Sequence, residues 1–346
     1  EWGAPFEKTA AKLWLCYVWY KQRQMDRLER TLTEVLATCR ENDYGFLFTS
    51  VSHLGAPDER IFTPLLVLAR DRNMEGAYAL RLLEALRLGG VQSHPGFRLA
   101  VETLGNFQVK RGSELIPSNG WRREKSRQLF QLLITYRQSP LDRDQICEHL
   151  WPEADLATAQ RNFKITLNTL YQVLEPERDA GSDSAFIVRD GTTYTLRLNA
   201  DLWLDSDHFA RLTREGLKPV SHSMQILEEA VTLYRGEYLP DALYESWAAE
   251  ERERLATLFL EAADKLCELY VQTARFTEAI DLGQRILAKD NCWERAYRHL
   301  MQAYNALGDR GQLARTYQRC QQNLKEELDV LPSQETQDLY RKLIHS

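Results

Sequence analysis

Apolar positions recur at helical steps through the first part of the chain. Leu13, Val18, Leu28, Leu32, Val35 and Leu36 keep that spacing. A second helical pair is predicted from Pro57 to Arg70 and from Met74 to Leu88, punctuated by Gly45, Gly55, Asn73 and Gly89-Gly90. Residues 1–92 therefore read as helical hairpins stacked into a solenoid. At Gly89-Gly90 the period changes. Phe97 to Val101, Phe107 to Lys110 and Glu114 to Ile116 alternate or run apolar as strands do, with Arg111-Gly112 as a turn.

Helical pattern resumes from Glu124 to Arg137. A short helix follows Ser139-Pro140-Leu141, with Asp142 as its N-cap, and stops at Pro152. A third runs from about Asp155 to Leu174, and Pro176 closes it. Next come Phe186-Ile187-Val188 and Tyr194 to Leu198, joined by Arg189-Asp190-Gly191-Thr192. Asp-Gly between alternating runs is a strong hairpin signal. Strands, three helices, then a hairpin is the order of a winged helix-turn-helix with an extra N-terminal sheet, expected over 97–204.

From Asp205 to the end the pattern is helical again and repeats. Tyr270, Ala274, Ala279 and Leu287 correspond to Tyr304, Gly308, Leu313 and Gln321 at a spacing of 34, the tetratricopeptide period, and Trp293 extends it back to Phe259. The predicted fold class is mainly α with a small α+β module: helical solenoid (1–92), winged helix-turn-helix (97–204) and tetratricopeptide-like array (205–346).

On a helical wheel, Ala159, Phe163, Leu167, Leu170 and Leu174 share the buried face of the third helix. The opposite face carries Thr158, Arg161, Ile165, Asn168, Thr169 and Gln172, with Lys164 at its flank and no acidic residue. Arg and Lys suit guanine edges or phosphates, Asn and Gln suit adenine, and Ile or a Thr methyl suits a thymine methyl. A solvated amphipathic helix shows the same pattern. Two flanking features favour recognition: Arg122, Arg123, Lys125 and Arg127 around a single Glu124, and Arg189, Thr192 and Thr193 at the tip of the hairpin wing.

The 346 residues carry a formal net charge of −6, which argues against a uniformly basic nucleic-acid binder. The deficit is local. Residues 1–96 are neutral, 97–205 carry −1 and 206–346 carry −5. No run approaches the roughly 20 apolar residues of a membrane span. No small-residue cleavage site follows Leu13 to Tyr20, so no signal peptide is read there. The six cysteines have no C-x-x-C spacing and are expected to be reduced core residues of a cytoplasmic protein. The chain opens with Glu1-Trp2 and is helical in pattern by Phe6, which reads as a piece of something longer.

Enzyme signatures fail. The seven histidines lack metal-ligand spacing, although His299 and Cys292 are seven apart on one expected helix. Gly-x-Ser-x-Gly and Gly-x-x-x-x-Gly-Lys do not occur. Glu250, Glu251 and Glu253 alternate with Arg252 and Arg254 as an ion-paired surface. No cofactor or catalytic role is expected.

From Leu99 to Leu198 the chain resembles the OmpR-type winged-helix domain, in the variant of streptomycete antibiotic regulatory proteins. The resemblance rests on Leu104-Gly105-Asn106-Phe107-Gln108-Val109, Cys147-Glu148-His149-Leu150-Trp151-Pro152 and Asn162 to Leu170. Residues 205–346 resemble the bacterial transcriptional activator domain, through Tyr234 to Leu239, Trp247 to Arg252 and Leu324 to Val330 with Pro332. The resemblance implies that Arg161, Ile165, Asn168 and Thr169 face the major groove. It departs from the pattern at Thr169 and Tyr171, where family members often carry Arg. It also implies that the loop with Trp151, Glu153 and Asp155 touches RNA polymerase. Phe46-Leu47-Phe48, Leu65 to Leu68 and Tyr78 to Leu83 resemble the solenoid end of MalT-like ATPase regulators, which implies a nucleotide-binding segment preceding residue 1.

The function expected is a sequence-specific DNA-binding activator that occupies tandem promoter sites and recruits polymerase, with double-stranded DNA, RNA polymerase and a second copy of itself as partners. The alternative is a protein-interaction scaffold whose winged helix no longer binds DNA.

Overall fold

A computed structural model describes residues 4–55, 58–179, 181–198, 201–219 and 221–345. Glu1 and Trp2 lie outside them, as does Pro57. The chain forms two units, one of residues 1–102 and 108–204, the other of residues 103–107 and 205–346. The stretch 92–97, where a helical segment was expected to give way to a winged helix, lies within the first.

The first unit begins with α1 (Ala4–Lys21) and α2 (Met25–Glu41), then α3 (Phe46–Thr49), α4 (Thr63–Asp71) and α5 (Gly76–Ala85). Leu13, Leu28, Leu32, Leu36, Phe48 and Phe62 are fully buried in their shared core. The helix expected from Pro57 starts only at Thr63. Asp58 accepts the Arg60 backbone N–H at 2.8 Å, which turns the chain, and Pro64 then serves in the first helical turn. The next helix is shorter than its pattern because Glu75 and Arg87 are left-handed, at φ 52° and 62°.

Two small sheets and three helices complete this unit: β1 (Leu99–Glu102), β2 (Gln108–Arg111), β3 (Glu114–Leu115), α6 (Glu124–Thr135), β4 (Leu141–Asp142), α7 (Arg143–Leu150), α8 (Leu156–Leu174), β5 (Ile187–Asp190), β6 (Thr193–Leu196) and β7 (Leu202–Leu204). One sheet has the order β3-β2-β1-β7 and the other β4-β6-β5. β7, parallel to β1, and the two-residue β4 were not expected. Neither is long enough to show a period of two. The first winged-module helix ends at Thr135, two residues short of Arg137.

A buried polar cluster ties the N-terminal helices to the first sheet. The Arg60 guanidinium pairs with the Asp201 carboxylate, and His94 Nε2 lies 3.2 Å from the other carboxylate oxygen. Arg60 also donates to the Leu86 carbonyl at 3.2 Å. Sequence reading gave these residues no role, because each stands alone in a loop.

The second unit holds α9 (Asp205–Gly216), α10 (Ser223–Leu233), α11 (Ala249–Gln272), α12 (Phe276–Lys289), α13 (Glu294–Ala306), α14 (Arg310–Leu328) and α15 (Gln334–Ile344). α12 and α14 begin 34 residues apart, and α11 and α13 end 34 apart, so the repeat is present in the helices themselves. Ala274 and Gly308 occupy its equivalent turns, both left-handed at φ 59° and 75°. The extension to Trp293 does not hold locally. Trp293 is the N-cap of α13, whereas Phe259 is buried mid-way along the longer α11. Cys292 likewise precedes α13, so it does not share a helix with His299, and unlike the other five cysteines it is only half-buried.

Residues 103–107 pack within the second unit where Gly105 meets Gly236. Gly105 N–H donates to the Glu237 carbonyl at 2.9 Å. A Cβ on Gly105 would stand 2.8 Å from the Arg235 carbonyl carbon, and Gly105 is itself at φ +82°.

Candidate nucleic-acid interface

Helix α8 starts where Asp155 accepts the Thr158 backbone N–H at 3.0 Å, an N-cap that satisfies one orphan donor. That bond and the neighbouring N–H groups hold the Asp155 carboxyl below the usual carboxylate range. Ala159, Phe163, Leu167, Leu170 and Leu174 are all buried, as the wheel requires. Packing against α6 and α7 fixes the rotation of the helix, and the Ser126 hydroxyl of α6 reaches the Thr166 carbonyl at 3.4 Å.

The outward face divides into engaged and unengaged groups. Arg161, Lys164 and Asn168 are exposed and make no side-chain hydrogen bond or ion pair among the described residues. Ile165 is 42% exposed, and Leu156 in the first turn 57%. Thr158 is half-buried. Thr169 is half-buried, and its hydroxyl donates to the Ile165 carbonyl at 2.9 Å. Gln172 accepts from Arg122 at 2.5 Å.

On the first winged-module helix, Arg127 pairs with Glu124 at 3.2 Å. Arg123 is exposed and Lys125 half-buried. The wing tip is largely tied to its own scaffold. Arg189 donates to the Gly191 carbonyl at 3.1 Å, Thr193 to the Asp190 carbonyl at 2.9 Å and Thr192 to Asp142 at 2.6 Å. The Thr192 bond and the Asp144 N–H lower the Asp142 carboxyl.

Asp142 thus does two tasks: it caps α7 in a reciprocal box with Gln145 and anchors the wing. The Asp-x-x-Gln spacing was readable in the sequence. Its reach to Thr192, fifty residues on, was not. In the α7–α8 loop Trp151 is half-buried, Glu153 is exposed and Asp155 is committed to its cap.

Donors on Arg161 and Lys164, a donor–acceptor amide on Asn168 and an apolar Ile165 lie on one helix face, without an acidic residue among them. That set can meet phosphates, base edges and a methyl group. It has no nucleophile, and no cluster of metal-ligating side chains occurs among the described residues. No described helix is long and apolar enough to cross a membrane.

Residues 204–344 match the model of the bacterial transcriptional activator domain. The chain is 24% identical over 226 residues to the transcriptional regulatory protein MoaR1 of Mycobacterium tuberculosis and equally to that of Mycobacterium bovis. Each alignment covers 64% of this chain and 72% of the relative. A solved structure of Mycobacterium tuberculosis EmbR in complex with a low affinity phosphopeptide shares the fold, with a TM-score of 0.61 at 18% identity. That match covers 72% of this chain and 65% of the solved one.

Proposed function

We propose that this chain, a transcriptional regulator of the type that carries a bacterial transcriptional activator domain, binds duplex DNA with α8 in the major groove. The observation that carries the reading is the exposed, unengaged set Arg161, Lys164 and Asn168 around Ile165. Arg122, Arg123 and Lys125 supply phosphate contacts beside it, and Arg189 supplies one from the wing. Thr169 and Gln172 contribute less in the arrangement described, because the Thr169 hydroxyl and the Gln172 Oε1 already have partners. Exposed Glu153 is the remaining polymerase-facing group of the α7–α8 loop. Binding at tandem sites and activation by polymerase recruitment belong to the same reading. The resemblance of residues 1–92 to a MalT-like solenoid carries no part of it.

The test is selection of bound duplexes from a random pool, followed by titration at fixed salt. Arg161→Ala is expected to cost about 1–3 kcal/mol of operator affinity, and Asn168→Ala to relax preference at one base pair. Affinity should fall steeply with salt. Unchanged affinity in Arg161→Ala would remove that residue from the interface.

A protein scaffold is the second reading, favoured by the exposure of Leu156 and Ile165 along the same helix. It predicts no retardation of any duplex at low salt.

A further inference from the structure

A cavity of about 620 Å³ lies within the first unit, between α1, α4, the loop at 92–95 and the chain that leaves α8. Its volume is in the range of small-molecule sites. Tyr20, Met25, Pro64, Val67, Leu68 and Pro95 give it apolar walls.

Charged side chains at the cavity are already occupied. Lys21 pairs with Glu177, and Arg23 with Asp179 at 2.7 Å. Asp71 accepts from Arg70 at 2.7 Å. Glu175 accepts the Ala185 N–H at 3.0 Å and the Ser184 hydroxyl. Arg178 donates to the Ser182 carbonyl and stacks on Tyr171, 4.2 Å from the ring centroid. Glu175 and Arg178 have no ion pair among the described residues but attract each other, so a charged guest would enter without a net counter-charge and lose its hydration, which is costly.

Three polar groups are left over. The Tyr20 hydroxyl and the Gln92 amide have no hydrogen-bond partner among the described residues, and neither has the buried Nε–H of Arg178. Two of the three offer N–H donors, so they suit a guest with carbonyl or ether oxygens.

We propose that this cavity binds an uncharged small molecule with an apolar body and hydrogen-bond acceptors. Glu175 is the C-cap of α8, and Glu177, Arg178, Asp179 and Ser182 follow it, so an occupant touches the chain that joins the DNA-facing helix to the wing. This coupling rests on the DNA reading above, whereas occupancy of the cavity does not.

The test titrates the whole chain with N-phenyl-1-naphthylamine, an uncharged fluorescent probe, in the absence of DNA. Saturable one-site binding is expected. Gln92→Trp and Met25→Trp, each filling the cavity from a different side, should weaken it by about tenfold or more without lowering the melting temperature. Failure to saturate, or unchanged affinity in both variants, overturns the site. The anionic probe 8-anilinonaphthalene-1-sulfonate should bind about tenfold more weakly, and tighter binding overturns the assignment to an uncharged guest. Since the titration contains no DNA, its failure is distinct from a failure to retard duplexes. Where both succeed, saturating probe should shift operator affinity, and no shift overturns the coupling.

Discussion

Asp201 and Asp205 stand four residues apart in the chain, both with buried carboxyl groups, and they are held in opposite ways. Burial alone would raise Asp201, but the His94 and Arg60 bonds bring it below the usual carboxylate range. Burial dominates at Asp205 and raises it, although Thr103 N–H and its hydroxyl donate at 2.7 Å, Leu104 N–H at 3.0 Å and Ser206 N–H at 2.8 Å. One aspartate is an ion-pair hub in the first unit. The other is a backbone cap in the second, with its nearest guanidinium, Arg235, 3.8 Å away and 49% exposed. Equal burial therefore does not give equal chemistry. The partner's charge decides whether the carboxylate is favoured.

The largest expected effect follows from breaking the hub. Arg60→Ala removes a guanidinium that is 2% exposed and leaves the buried Asp201 carboxylate to His94 and to the partly exposed Arg98, 3.6 Å away. The loss of a buried pair's partner typically costs about 3–5 kcal/mol. Denaturant unfolding would measure the loss, and hydrogen exchange should place it in residues 58–102 and 201–204. A loss below about 1 kcal/mol would mean that the pair is no more than a surface bridge.

The second effect is smaller and has a pH signature. Asp205→Asn keeps one acceptor but sets an amide N–H₂ against the Leu104 N–H, at a cost of about 1–3 kcal/mol. The wild-type carboxyl is raised above its unfolded value of about 3.9. Its contribution is therefore fully present below that value and is lost as pH rises through the folded one. Asp201, lowered, contributes above about 3.9 and loses that contribution as pH falls through its folded value. Comparing unfolding free energies of Asp201→Asn and Asp205→Asn with wild type from neutral to acid pH should give differences of opposite slope. Parallel slopes would break the comparison.

Periodic features were legible in the sequence and paired ones were not. The buried stripe of α8, the Asp142 cap, the wing hairpin and the 34-residue repeat each repeat or signal within a few residues. A single sequence carries that kind of information directly. Arg60, His94 and Asp201 meet across 107 and 141 residues, and nothing in their local surroundings announces it. The polar and basic face of α8 and its flanking groups were legible as a set. Which of them are engaged elsewhere was not: Thr192 is taken up by Asp142 and Gln172 by Arg122, through contacts fifty residues apart in the chain. Helix ends failed for a third reason, since left-handed Glu75 and Arg87 are residue types that do not advertise a positive φ.

The smallest effect tests whether Asp205 is capped rather than paired. Arg235 is half-exposed and 3.8 Å from the carboxylate, so solvent screens most of its attraction. Arg235→Gln should change the stability of the second unit by less than about 1 kcal/mol, the range of exposed pairs. The four donors to Asp205 come from Thr103, Leu104 and Ser206, and this substitution leaves each of them in place. The difference in unfolding free energy should also shrink as salt is raised, because an exposed pair is screened within a Debye length. A cost approaching that of Arg60→Ala, insensitive to salt, would make Asp205 an ion-pair hub as well. The contrast between the two aspartates would then lie in geometry alone, not in the charge of the partner.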